Sequence, residues 1–135
     1  MTTIRPTASP AEARGALLAL HGALLADARK AHEREHGTLS NAGFLQLAAH
    51  DPRFAWLGVL GGLIVRLDTA PDPAPVLGEA SALLRCAGGG EFAARYEAAI
   101  QGSPEVAVAG AVARKSVDRE RGAGSREREL EAGQR

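Results

Sequence analysis

Asp51-Pro52-Arg53-Phe54-Ala55-Trp56-Leu57-Gly58-Val59-Leu60-Gly61-Gly62-Leu63-Ile64-Val65-Arg66-Leu67-Asp68 is the stretch whose reading decides the fold. Phe54, Leu57, Leu60, Ile64 and Leu67 recur every three or four residues, the spacing that lines one face of an α-helix. Asp51 offers a capping oxygen directly before Pro52, whose missing N–H costs little in a first helical turn. The stretch therefore predicts a helix from Pro52 to about Asp68. Its core from Phe54 to Val65 is twelve residues without a charge, well short of the roughly 20 needed to cross a bilayer. It reads as a buried helix, with no membrane span.

The same start signal recurs on both sides. Ser9-Pro10-Ala11-Glu12 and Ser103-Pro104-Glu105 repeat the cap-then-proline order, and Ser9 with Glu12 also fits a reciprocal capping box. A first helix is expected from near Pro10 to near Gly37, its apolar stripe of Leu17, Leu24, Leu25 and Ala28 interrupted by His21 and turning polar toward its end. Ser40 can cap a short second helix carrying Phe44, Leu45, Leu47 and Ala48. Thr69 to Pro75 holds three alternating prolines and is expected to be a stiff linker. A fourth helix follows from about Val76 to Ala87 and stops at Gly88-Gly89-Gly90; a fifth carries Phe92, Tyr96 and Ile100, and a sixth Val106, Ala109, Val112 and Ala113.

Composition agrees with this pattern. Hydrophobic residues make up 45% of the 135 and aromatic ones only 4%, which favours helices packed closely on Ala, Leu and Val over a β-sandwich. The expected architecture is all-α: a bundle of about five or six helices, four of them substantial, in one domain. Residues 1–9 are expected to be a flexible N-terminus, 10–117 the bundle, and 118–135 a charged, disordered tail. That tail holds a single large apolar side chain, Leu130, and its removal is expected to leave stability nearly unchanged.

Sixteen basic residues balance sixteen acidic ones, so no global field draws the molecule to nucleic acid or to an acidic membrane. Acids interspersed through the tail weaken a phosphate-binding reading of its arginines. The single cysteine, Cys86, rules out an intramolecular disulfide, and Met1 to Pro10 lacks the apolar stretch of a secretory signal. A cytoplasmic address is expected.

The segments His21-Gly22-Ala23-Leu24-Leu25, Phe44-Leu45-Gln46-Leu47, Asp51 to Leu57, Leu63 to Asp68, Arg95-Tyr96 and Ser103 to Val106 together resemble a family of small uncharacterised bacterial helical-bundle proteins. The resemblance runs over roughly residues 15 to 117 and is carried by packing and capping positions. It implies a fold and transfers no catalytic residue or cofactor. The chain departs from the family pattern at Gly58-Val-Leu-Gly61-Gly62, where polar residues or proline are expected.

His32-Glu33-Arg34-Glu35-His36 satisfies the zinc-protease pattern H-E-x-x-H, in which two histidines one turn apart hold a metal and the intervening glutamate polarises its water. The extended pattern fails at Leu39 and Ala42, and a catalytic zinc needs a third protein ligand. A solvated helix end, with His32 and His36 complementing the helix dipole, is the plainer reading. His21 is a candidate for lining an internal pocket or binding a ligand, against the plainer reading of a half-buried imidazole bonded to a carbonyl or facing an oligomer partner. Gly58-x-x-x-Gly62 fits close helix packing, and Cys86 fits a small apolar filler. No catalytic residue or cofactor is assigned. The sequence favours a non-enzymatic protein-interaction or regulatory module that associates with itself or with a protein partner through an apolar helix face. The alternatives are a small metal-dependent hydrolase on His32, Glu33 and His36, and a ligand-binding bundle using His21.

Overall fold

The computed structural model describes the backbone of residues 10–133 and the side chains of residues 11–122. Residues 1–9, expected to be flexible, lie outside the described residues, as does the Ser9 half of the capping box. Among the described residues the regular elements are all helical: α1 (Pro10–His36), α2 (Asn41–His50), a 3₁₀ turn (Pro52–Phe54), α3 (Leu57–Thr69), α4 (Ala74–Leu84), α5 (Gly90–Gly102) and α6 (Pro104–Gly133). The protein is an all-α bundle. None of the described helices is long and apolar enough to cross a membrane.

The start signals act through the oxygens that precede them. Ser40 Oγ accepts the Gly43 N–H at 3.0 Å, Asp51 Oδ1 the Arg53 N–H at 2.8 Å, and Ser103 Oγ the Val106 N–H at 3.3 Å, each satisfying a donor that its first turn leaves free. α1 ends at Gly37, whose φ of +88° is the left-handed conformation that closes a helix and suits a residue without Cβ.

The expected single helix from Pro52 to Asp68 is instead a 3₁₀ turn, a break at Ala55–Trp56, and then α3. Phe54 and Trp56 explain the break. Two residues apart on a straight helix they would point to opposite sides, yet both are buried, Phe54 against Phe44 at 5.9 Å between ring centroids and Trp56 against Phe92 at 5.5 Å. α4 also ends three residues early, because Cys86 takes a φ of +59° and turns the chain toward the glycines.

α1 and α6 form an antiparallel spine. Arg119 pairs with Glu12 at 2.8 Å near one end, and Lys30 meets Glu105 at 3.9 Å toward the other. α3 is antiparallel to α1 in the same way, with Arg14 paired to Asp68 and His21 lying over Gly61. α4 closes the ring against α3 and α6, and α5 packs on α6. Leu17, Leu20, Leu24, Leu60, Val106 and Val117 are the largest fully buried side chains at the centre.

Residues 118–122, placed by expectation in the tail, instead continue α6 and pack on the bundle. Asp118 bonds Ser81 at 3.2 Å and Arg85 at 2.5 Å, and Arg121 donates to Ser81 at 3.2 Å. Glu120 is only 7% exposed, and its carboxylate accepts the Ala13 N–H at 3.4 Å, so α6 caps the first turn of α1. Burial raises the pKa of Glu120, opposed by that hydrogen bond. The acids and arginines of this segment thus serve as caps and clamps between helices.

Two predictions follow from this packing. Ending the chain after Val117 removes the Glu120 cap and the Asp118 clamp and leaves the fully buried Val117 on a frayed last turn. We expect a loss of more than about 2 kcal/mol in denaturant unfolding, and an unchanged midpoint would return 118–122 to the role of a dispensable tail. Gly110 faces the Tyr96 ring so closely that a Cβ there would collide with the phenol oxygen and stand 3.3 Å from the ring carbon bearing it. Gly110→Ala should therefore destabilise by about 1–3 kcal/mol despite alanine's better helix propensity. Adding Tyr96→Phe should recover part of the loss, which calorimetry on both variants would measure.

Candidate functional site

The two histidines of the His32–His36 segment do lie together, with ring centroids 4.5 Å apart, and His32 also approaches Phe54 at 6.2 Å. Glu33 is engaged elsewhere. One of its oxygens accepts the Leu39 N–H at 2.8 Å and the Arg29 Nε–H at 3.3 Å. Arg29 in turn donates to the Leu39 carbonyl at 2.6 Å and to Asn41 at 2.9 Å, and its guanidinium lies 5.4 Å from the centroid of the Phe44 ring. This network shapes the turn between α1 and α2. The Leu39 hydrogen bond, then Arg29, hold the Glu33 pKa below its ordinary value, which weakens it as a base. Among the described residues no group of three or more His, Cys, Asp or Glu side chains is placed to hold a metal ion, and two histidines alone leave a tetrahedral shell to be completed by water.

His21 is half-buried at the crossing of α1 and α3, its Nε2 3.5 Å from where a Cβ on Gly61 would stand. It is a packing residue of that seam and lines neither cleft described below. Gly58 and Gly62 are exposed, and a Cβ on either would meet no neighbour within 4 Å. The glycine against which a helix packs is therefore Gly61, one position from the expected pair. Cys86 borders a hollow of about 270 Å³ between α4 and α5. Burial, then Glu97, raises its thiol pKa, the opposite of what a nucleophilic thiolate requires.

The larger cleft, about 420 Å³, lies between the C-terminal half of α1, the 3₁₀ turn and α5. Its polar rim holds Asp27, His32, Arg34 and Glu35 from α1, with Arg53 and Arg95 opposite. Phe54, Trp56 and the alanines of α1 and α5 form its apolar wall. Asp51 grips Arg53 through both carboxylate oxygens, which brings the Asp51 pKa down to about 2, and Glu91 holds Arg95 at 3.1 Å. Arg34 makes no ion pair among the described residues. Of this set only His32 stood out in the sequence. Arg34 and Glu35 fall within the same His32–His36 segment, whereas Asp27, Arg53 and Arg95 come from three separate elements and share no local motif.

Compared with protein-family models, curated proteins and solved structures, the chain matches none. The resemblance noted over residues 15 to 117 finds no support in these comparisons.

Glu33 gives the site a titration. Its folded pKa is lowered from 4.5, so its stabilisation is present above that value and is lost as pH falls through the folded value. Glu33→Gln is expected to melt below the wild type at about pH 7, and the gap is expected to close as pH falls through the lowered folded value. A gap that does not change with pH would mean that the carboxylate charge is not what holds the turn.

Proposed function

We propose that this protein is a non-enzymatic interaction module that pairs with a second copy of itself through the outer face of α1 and α3. One observation carries the reading: this face is uncharged and largely made of small residues. On α1 the run from Gly15 to Ala26 contains no charged side chain, and on α3 the run from Phe54 to Val65 contains none. The outward positions beside the seam are Gly15, Leu18 and Gly22 on one helix and Gly58, Gly62 and Val65 on the other. Leu18 is 41% exposed and Val65 61%, large apolar groups at the positions where a monomeric helix ordinarily carries Lys or Glu.

Physical reasons favour a helical partner that is a copy. The four glycines leave open space where side chains would stand, so another helix can come close enough for broad van der Waals contact. The two faces run antiparallel side by side, so a two-fold axis normal to them presents the same self-complementary patch twice. The Arg14–Asp68 ion pair and Arg29 bound the face along the bundle axis. The enzymatic alternative on His32, Glu33 and His36 gains no support from a glutamate already engaged by Arg29 and Leu39.

Light scattering coupled to size exclusion is the test. The wild type should elute as a dimer at concentrations of about 10–100 µM, and Leu18→Glu and Val65→Glu should each give a monomer with an unchanged helical spectrum. A wild-type monomer across that range would remove the reading.

A further inference from the structure

His21 stands in the middle of the face assigned to self-association, where it is the only ionisable side chain in the runs Gly15 to Ala26 and Phe54 to Val65. Resting on the self-association proposed above, we infer that His21 makes it pH-dependent: two copies pair while the imidazole is neutral and separate when it takes up a proton.

Helix spacing fixes this place. On α1 Leu18 precedes His21 by three residues and Leu25 follows it by four. On α3 Gly58 and Val65 stand in the same relation to Gly61, over which the imidazole lies. Residues so spaced are neighbours on one flank of a helix. The exposed Leu18, Gly22, Gly58, Gly62 and Val65 therefore surround the half-buried ring. His21 makes no side-chain hydrogen bond or ion pair among the described residues, and its ring nitrogens are open to solvent. A second copy laid on this face takes them out of water.

Covering a neutral imidazole with glycine, leucine and valine costs its hydrogen bonds to water, whereas covering an imidazolium also costs the hydration of a full charge. Nothing in the face answers that charge. Of the charged groups along the two helices, Arg14 and Asp68 hold each other, Arg29 holds Glu33, and Arg66 holds Glu79 on α4. Asp68, the nearest carboxylate on this side, is seven residues from Gly61, or about 10 Å along the axis, and is already given to Arg14. Asp27 lines the cleft toward α5. α6 pairs its Glu105 and Arg119 with Lys30 and Glu12 on another flank of α1, and Arg85 of α4 pairs with Asp118. A two-fold axis through the middle of the patch also sets two like-charged rings against each other. Proton uptake therefore belongs to the separated chains, and by linkage the dimer weakens as pH falls.

Sedimentation velocity on the full chain at about 1–100 µM reads the dimer Kd at each pH. Histidine changes charge between about pH 5 and 8. The wild type should dimerise at about pH 8 and show a Kd at least about tenfold higher at about pH 5.5, with an unchanged helical spectrum. His21→Gln and His21→Leu each put an uncharged side chain in that place, and each should dimerise with a Kd that moves less than about threefold over the same range. A variant with the other three histidines, His32, His36 and His50, changed to Gln should keep the wild-type response. A wild type that is monomeric at both pH values would remove the self-association reading and this inference with it. A dimer whose Kd holds or falls toward acid pH, an equal response in the His21 variants, or loss of the response in the triple variant would overturn this inference alone.

Discussion

Everything else in the bundle depends on the antiparallel contact between α1 and α6. Leu17, Leu20 and Leu24 on one helix and Val106, Ala113 and Val117 on the other are at most 1% exposed. Burying one leucine contributes about 1.5–3 kcal/mol, so the three leucines alone offer an amount comparable with the whole net stability of a typical domain, about 5–15 kcal/mol. The ion pairs along the seam are of another order. Lys30 and Glu105 meet at 3.9 Å with side chains 67% and 82% exposed, and exposed pairs are worth about 0–1 kcal/mol. Their arrangement suits direction and register, while apolar burial supplies the adhesion. α3 and α4 then close over a stripe that α1 and α6 together leave open.

Features whose cause is local were legible in the sequence. Ser40, Asp51 and Ser103 act on N–H groups two or three residues away, and Gly37 closes α1 where its lack of a side chain permits. The same reasoning failed where the cause is distant. Phe54 and Trp56 fit a straight helix by period, but partners on α2 and α5 pull them to different sides, and the helix breaks between them. Glu120 sits in a run of Arg, Glu and Gly that looks fit only for solvent. Its role is to cap Ala13, a residue 107 positions away, and no window along the chain contains both.

The candidate groups divide the same way. His32 and His36 share a helix face, as their spacing of four requires, but the spacing says nothing of the loop that engages Glu33. The glycines of α3 announced a close approach, although the neighbour turned out to be the His21 imidazole over Gly61. The cleft could not be anticipated, because its arginines stand at positions 34, 53 and 95 and meet only through the fold. Phe54 and Trp56, read as core residues, are buried and also form one wall of that cleft. A side chain can belong to both when the core reaches the surface at a helix junction.

The cap that Glu120 places on α1 bears on how the chain is made. The ribosome releases the first turn of α1 long before residue 120 has been synthesised, at about 5–20 residues per second. Until then α1 lacks the Glu120 contact, and its leucine stripe has only the helices already released to lie against. Native closure of α1 must wait for α6, so the bundle folds late in synthesis or after release, around a contact of long sequence separation of the kind that slows folding. Over that interval an unpaired, leucine-lined helix is what the chain presents to the chaperones around it.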